Sequence, residues 1–137
     1  MKETNPIEES RRYVKNARQT LRDNADLDVE QNRYRDDKYV KAAGGYLWGG
    51  VLIALDAVFQ IRAQKKGRVD VNDYRRVIGN RDKKLLGLVN DGYDIIHLYM
   101  TYDGSLSKRT CDEGIRIANE IIDKCAIMLG QMPAPVA

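Results

Sequence analysis

The stretch AAGGYLWGGVLIALDAVFQI, residues 42–61, is the least polar in the chain, with Asp56 and Gln60 its only interruptions. Twenty such residues are long enough to cross a bilayer. The stretch is therefore either a membrane span or the central helix of a buried core. Gly45-x-x-x-Gly49 and Gly50-x-x-x-Ala54 suit close helix packing in either setting. Three features favour the core. A carboxylate at Asp56 is expensive in lipid. Ala42, Ala43, Gly44, Gly45, Gly49 and Gly50 leave the first half weakly hydrophobic. The flanking segments are amphipathic, and their apolar faces need a partner. A cytoplasmic protein folded around this helix, with no membrane contact, is the expectation. Each glycine in a helix interior costs about 1 kcal/mol relative to Ala, so neighbours are expected to pack tightly against them.

The chain of 137 residues fits one domain, 1–137, with a core over about 6–129 and a flexible tail at 130–137. That length supports a core without disulfides or metals. Cys111 and Cys125 have no CxxC spacing and no neighbouring histidine, which fits a reducing compartment and excludes the common metal sites. No cofactor motif is present. GGYLWGG lacks the Gly-Lys-Ser/Thr ending of a phosphate loop. The N-terminus shows no apolar secretory region. Eight Tyr stand against one Phe and one Trp, so several aromatic groups carry a hydroxyl that needs a partner when buried.

Helical periodicity accounts for most of the chain. Asn5-Pro6 supplies an N-cap and first-turn proline, and Glu8 completes a capping-box spacing. Ile7, Val14, Ala17 and Leu21 form the apolar stripe of a helix ending near Asn24. Residues 25–35 lack a period and are expected to be a loop, with no strand. A long helix is expected over 36–64, then a short one starting at Asp70, with Tyr74, Val77 and Ile78 on its apolar side. Gly79-Asn80 signals a turn. A helix over 81–101 would align Leu85, Val89, Gly92, Ile96 and Tyr99 on one face, with Leu86, Tyr93, His97 and Met100 as the adjoining stripe. The last helix, 107–129, has a heptad-like seam of Cys111, Ile115, Ala118, Ile122, Cys125 and Leu129, with Gly130 as a C-cap. The expected fold class is all-α: an antiparallel four-helix bundle with one additional short helix. The central helix is apolar nearly all round, which points to a homodimer.

Few residues are candidates for chemistry. His97 is the only histidine, with Asp94 and Tyr93 beside it on the same helix. It is either an acid/base or phosphate-contacting group, with Asp94 as its partner, or a core-edge histidine hydrogen-bonded to Tyr or Asp. The second is the commoner fate of a lone histidine. Asp56, with Tyr93 a candidate buried polar group, is either part of a site or half of a salt bridge. Residues 62–84 hold nine Lys/Arg against three Asp. Within this basic connector Lys65, Lys66, Arg68, Arg75 and Arg76 are candidate contacts to nucleic acid or phosphate.

Two segments, DKYVKAAGGYLWGGVLIALDAVF and LLGLVNDGYDIIHLYMTYDG, resemble HEPN-type domains, the small all-α domains of bacterial toxin–antitoxin and defence systems. The resemblance spans about residues 7–125. It implies a bundle fold, a homodimer and, in catalytic members, metal-independent RNA cleavage by an Arg followed four to six residues on by a His. His97 matches the histidine. Asn90-Asp91-Gly92 stands where the arginine belongs, so the cation that would stabilise the transition state is missing from the motif. The expectation is a non-catalytic helical module that binds a protein partner, nucleotide or RNA. The alternative is an RNase with a rearranged site built on His97 and an arginine from another helix, such as Arg62 or Arg81.

Overall fold

The computed structural model describes residues 5–132. The fold is all-α. Helix α1 spans Pro6–Asn24 and begins at the expected N-cap, with Asn5 Oδ1 accepting from the Ile7 N–H rather than in a capping box with Glu8. Ile7, Val14, Ala17 and Leu21 are buried along it. Residues 25–35, expected to be a loop without strands, close a minimal antiparallel ladder of β1 (Leu27–Asp28) and β2 (Arg33–Tyr34). Its turn needs left-handed backbone at Asp26 and Asn32, which Asp and Asn tolerate better than most residues.

Helix α2 (Asp37–Phe59) is the apolar stretch of the opening question. It is long and apolar enough to cross a membrane, yet it packs as the central element, with α1, α6 and the π-helical segment described below against it. Val40, Ala43, Leu47, Val51, Ala54 and Leu55 are fully buried. The tight packing expected at its glycines occurs at Gly50, where a Cβ would meet the Ser10 carbonyl oxygen at 3.0 Å, and at Gly44, against Thr101. Gly45 faces open space.

The long helix expected to reach residue 64 stops at Phe59. Gln60 adopts left-handed backbone (φ 52°), and a four-residue helix α3 (Ile61–Gln64) restarts in a new direction. Asp56 explains the restart: its Oδ1 accepts from the Arg62 N–H at 2.9 Å and serves the new helix end. Helix α4 (Val71–Gly79) opens with a full capping box, Asp70 and Asp73 each accepting from the other's backbone N–H, and stops at Gly79.

The helix expected over 81–101 has two parts. Helix α5 covers Lys83–Gly92. It continues into a π-helical segment, Tyr93–Tyr102. The wider turn explains a shift in the apolar face. Ile96 is buried as expected, and Met100 of the adjoining stripe continues the core, but Tyr99, expected on the apolar face, is exposed. Helix α6 (Lys108–Met128), capped by Ser107, buries its seam at Cys111, Ile115, Ala118, Ile122 and Cys125. Leu129, the last seam residue, is exposed. Gly130 takes positive φ, and Gln131 Oε1 accepts from Asn5 Nδ2 at 3.2 Å, joining the cap of α1 to the turn after α6. The rest of the expected tail, 133–137, lies outside the described residues.

Candidate functional site

The break at Gln60 brings the connector back across the molecule. Arg62, Arg68, Val69, Asp70, Val71 and Tyr74 come to face Trp48 and Leu52 of α2 and Tyr93 and His97 of the π segment, enclosing a cleft of about 300 Å³. A volume of this size lies at the lower end of the range for small-molecule sites.

Three rings form one wall. The His97 imidazole stacks on the Trp48 indole, with centroids 5.6 Å apart and planes 30° apart. Tyr93 lies 5.2 Å from His97 on one side and 6.0 Å from Trp48. Tyr93 and His97 are four residues apart on the same segment, which puts their side chains on neighbouring turns. The Arg75 guanidinium covers the Tyr93 ring at 4.8 Å, and its Nε donates to Asn90 Oδ1 at 2.8 Å. The ring cluster is thus clamped from outside by a cation.

The floor carries a buried polar atom. Tyr74 is 3% exposed, and its Oη is shut away from solvent. The Arg62 guanidinium is close enough to interact with it. The Tyr74 hydroxyl, and more weakly Asp56, raise the arginine's affinity for its proton. Burial pushes the Tyr74 phenol above its ordinary value, and Arg62 offsets part of that rise. Nδ1 of His97 is also buried without a hydrogen-bond partner, so the hydrogen bond expected of a core-edge histidine is not made at that atom. Arg62 and Arg68 stand exposed at the rim. Asp70 is the acidic residue lining the cleft, and its Oδ1 is turned to its own helix, accepting from the Asp73 N–H at 3.2 Å.

The candidate basic residues therefore divide. Arg68 lines the cleft, and Arg75 backs its aromatic wall. Lys65, Lys66 and Arg76 surround a second depression with Ile61, Gln64, Asp73 and Val77. There Lys65 Nζ pairs with Asp73 Oδ2 at 2.6 Å, and Arg76 lies 3.5 Å from Asp73 Oδ1. Asp73 is buried, and the Lys65 ammonium, followed by the Asp70 N–H, holds its carboxyl below the usual range. These two cations thus serve the fold of the connector. Asp94 is exposed and lies outside the cleft lining. Asp56 is half-buried, binds the α3 backbone and lines a groove of about 460 Å³ with Pro6, Tyr13, Gly49, Leu52, Ile53, Ala57 and Arg62. Arg81 is spent elsewhere, 4.8 Å over the Phe59 ring. Among the described residues no cluster of His, Cys, Asp and Glu is arranged to hold a metal ion.

Sequence reasoning did not assign Trp48 or Tyr74 to a site. The signal for Trp48 was its pairing with Leu52 one turn on, off the buried face of α2. For Tyr74 it was a hydroxyl on a predicted apolar stripe, in the middle of a basic segment.

Fold and cleft together define a small all-α domain that presents an aromatic wall and two arginines to one recess. Residues 5–126 match the profile of the family described as Domain of unknown function (DUF5618), and the chain belongs to that family. It is similar in structure to a protein of unknown function from Dyadobacter fermentans. That likeness has a TM-score of 0.81 at 35% identity, over 90% of this chain and 95% of the other. No curated protein matches.

Proposed function

We propose that this domain is a HEPN-like antiparallel four-helix bundle with one additional short helix, cytoplasmic and homodimeric, that binds RNA without cleaving it. It is a recognition module of the kind found in toxin–antitoxin and defence systems. One observation carries the RNA reading: Arg62 and Arg68 stand at the rim of a recess whose wall is the stacked Trp48–His97–Tyr93 cluster. Cations that track phosphates next to rings that take bases are the two components of single-strand recognition. Lys66, exposed beside the second depression, extends the basic surface. The dimer reading is supported by α2, whose outer face leaves Gly45 and Tyr46 exposed and Leu52 and Ile53 half-covered.

Anisotropy of labelled single-stranded RNA across about 50–200 mM salt tests the module. The expected result is binding that weakens steeply with salt, and by about tenfold in Arg68→Glu. No binding at the lowest salt removes the reading.

A second reading is favoured by the same cleft. Arg62 and His97 line it together, although no arginine precedes His97 at the motif spacing. Metal-independent RNA cleavage in EDTA, lost in both His97→Ala and Arg62→Ala, would replace the binding module with a rearranged ribonuclease.

A further inference from the structure

We infer that the outward face of α2 is the contact between two copies of this chain, packed antiparallel across it with Lys38 of each copy opposite Asp56 of the other. This rests on the homodimer reading and deepens it by naming the face, the direction and the register.

On the side of α2 away from the core, Lys38, Ala42, Gly45, Gly49, Leu52 and Asp56 are exposed or half-buried. Their spacing alternates four and three, which is the seam of a helix that packs on another helix. Turned end for end, this seam matches itself. Lys38 falls opposite the partner's Asp56, Ala42 opposite the partner's Leu52, and Gly45 opposite the partner's Gly49. The layers thus join opposite charges, a small side chain with a large one, and two glycines beside the two-fold axis. A parallel pair would set Lys38 against Lys38 and Asp56 against Asp56, so charge selects the antiparallel direction.

The relief of the surface agrees. A Cβ on Gly45 would meet nothing within 4 Å, so the face is notched there. At Gly49 the Tyr13 ring of α1 lies over the helix, 3.0 Å from where a Cβ would stand. The antiparallel register brings the Tyr13 ring of each copy to the Gly45 notch of the other. The groove of about 460 Å³ beside Leu52, Ile53 and Asp56 then receives the N-terminal half of the partner's α2. Both charges are available. Asp56 Oδ1 holds the Arg62 N–H, and the Arg62 guanidinium acts on the carboxylate without an ion pair. The Lys38 ammonium lies 5.5 Å over the Tyr39 ring and has no ion pair among the described residues.

This register also positions the aromatic recesses. Trp48 lies on one flank of α2, and Tyr46 with Tyr13 on the other. The two-fold axis passes near Leu47 at right angles to both helices, so like flanks stay on the same side. The two recesses therefore lie on one side of the dimer, their Trp48 residues about 3 Å apart along the helix direction.

Disulfide trapping reads the register, since the native Cys111 and Cys125 are buried. Ala42→Cys and Leu52→Cys are made separately in the full chain, then oxidised mildly, each alone and as an equimolar mixture left to exchange. The expected result is a trapped dimer in the mixture only. Position 42 meets position 52 of the partner, whereas like positions stand about 15 Å apart along the helices, beyond disulfide reach. Sedimentation equilibrium of the wild-type chain supplies the dimer constant without any variant. Gly45→Arg, whose side chain enters open space in a single copy, is expected to weaken the dimer by about 100-fold, and Lys38→Glu by about tenfold. A wild-type dimer that traps Ala42→Cys or Leu52→Cys alone, or traps nothing in the mixture, overturns the register while leaving the homodimer reading intact. A wild-type chain that sediments as a monomer at every concentration overturns both.

Discussion

Gly44 of α2 and Thr101 of the π segment meet backbone to backbone: a Cβ on Gly44 would lie 2.5 Å from Thr101 Oγ1 and 2.7 Å from the Thr101 nitrogen. The Thr101 hydroxyl has no freedom to retreat, because it donates to the Ile96 carbonyl at 2.8 Å. The contact fixes how closely the π segment, and with it His97, approaches the central helix.

Gly44→Ala and Gly45→Ala are therefore expected to act in opposite directions, although the residues are neighbours. Gly44→Ala overpacks a backbone contact and should destabilise by about 1–3 kcal/mol. Gly45 faces open space on an exposed part of the helix, so Gly45→Ala should stabilise by up to about 1 kcal/mol through helix propensity. Urea midpoints of the two variants check this. A Gly44→Ala midpoint at or above wild type would show that the close approach carries no constraint.

Gln60→Gly should raise stability slightly. Gln60 holds left-handed backbone (φ 52°) at the joint of α2 and α3. A residue with a Cβ is strained there by about 1–2 kcal/mol, and the greater freedom of glycine in the unfolded chain returns about 0.5–1 kcal/mol of that gain. A net increase of about 0.5 kcal/mol in the urea unfolding free energy is the expected outcome. A decrease would mean the side chain of Gln60 holds the joint.

Asp73 gives the connector a defined pH response. Its carboxyl lies below the usual range because of Lys65 and then the Asp70 N–H. A depressed carboxylate contributes stability in full above its unfolded value, about pH 4, and loses it as pH falls through the folded value below that. Asp73→Ala should lower the urea midpoint by a constant amount from pH 5 upward, and the gap should narrow only below about pH 4. A gap that is already closed near pH 6 would show that the ion pairs with Lys65 and Arg76 contribute nothing.

Cys111 and Cys125 should be inert in the folded state. Both are fully buried, and burial above all pushes each thiol up to about 12. In the unfolded chain a thiol titrates near about 8.5. Folding therefore holds these two protons longer, and stability should fall progressively as pH rises from about 8.5 toward 12. At pH 8 an aromatic disulfide reagent should label neither thiol in native buffer and both in concentrated urea. Fast native labelling of either would place that cysteine outside the core.

Much of the fold was legible because its signals are local. Asn5-Pro6 and Asp70 cap the helices expected from them, the last helix starts within a residue of its expected position, and its seam is buried through Cys125. The misses arise where backbone geometry departs from the α-helical period. Gln60 carries no breaker chemistry; the joint is made by side chains around it, Asp56 accepting from the Arg62 N–H and Gln64 donating to the Phe59 carbonyl. The exposure of Tyr99, beside a buried Met100 that the adjoining stripe did include, accompanies a wider winding that no residue type announces. The site was legible in part. His97, Tyr93, Arg68 and Arg75 stand at or behind the cleft, but their companions Trp48, Arg62 and Tyr74 come from α2, α3 and α4. That meeting depends on the turn at Gln60. Lys65 and Arg76 are indistinguishable from free cations in sequence, because their partner Asp73 also looks like a solvated charge until α4 forms.

The π segment has a consequence for how the chain can change in length. In an α-helix, removing one residue rotates everything beyond it by about 100°. The segment Tyr93–Tyr102 instead winds more residues into each turn, so it holds a reserve of chain that a shortening could draw on by tightening the coil. A deletion within these ten residues and one within α5 are therefore different events. The first can be absorbed locally, but only by shifting the ring cluster together with Ile96, Met100 and Thr101, whereas the second must turn the whole apolar ridge. The aromatic wall and part of the core share this one segment, so a change in its length reshapes the ring cluster and the packing on α2 together.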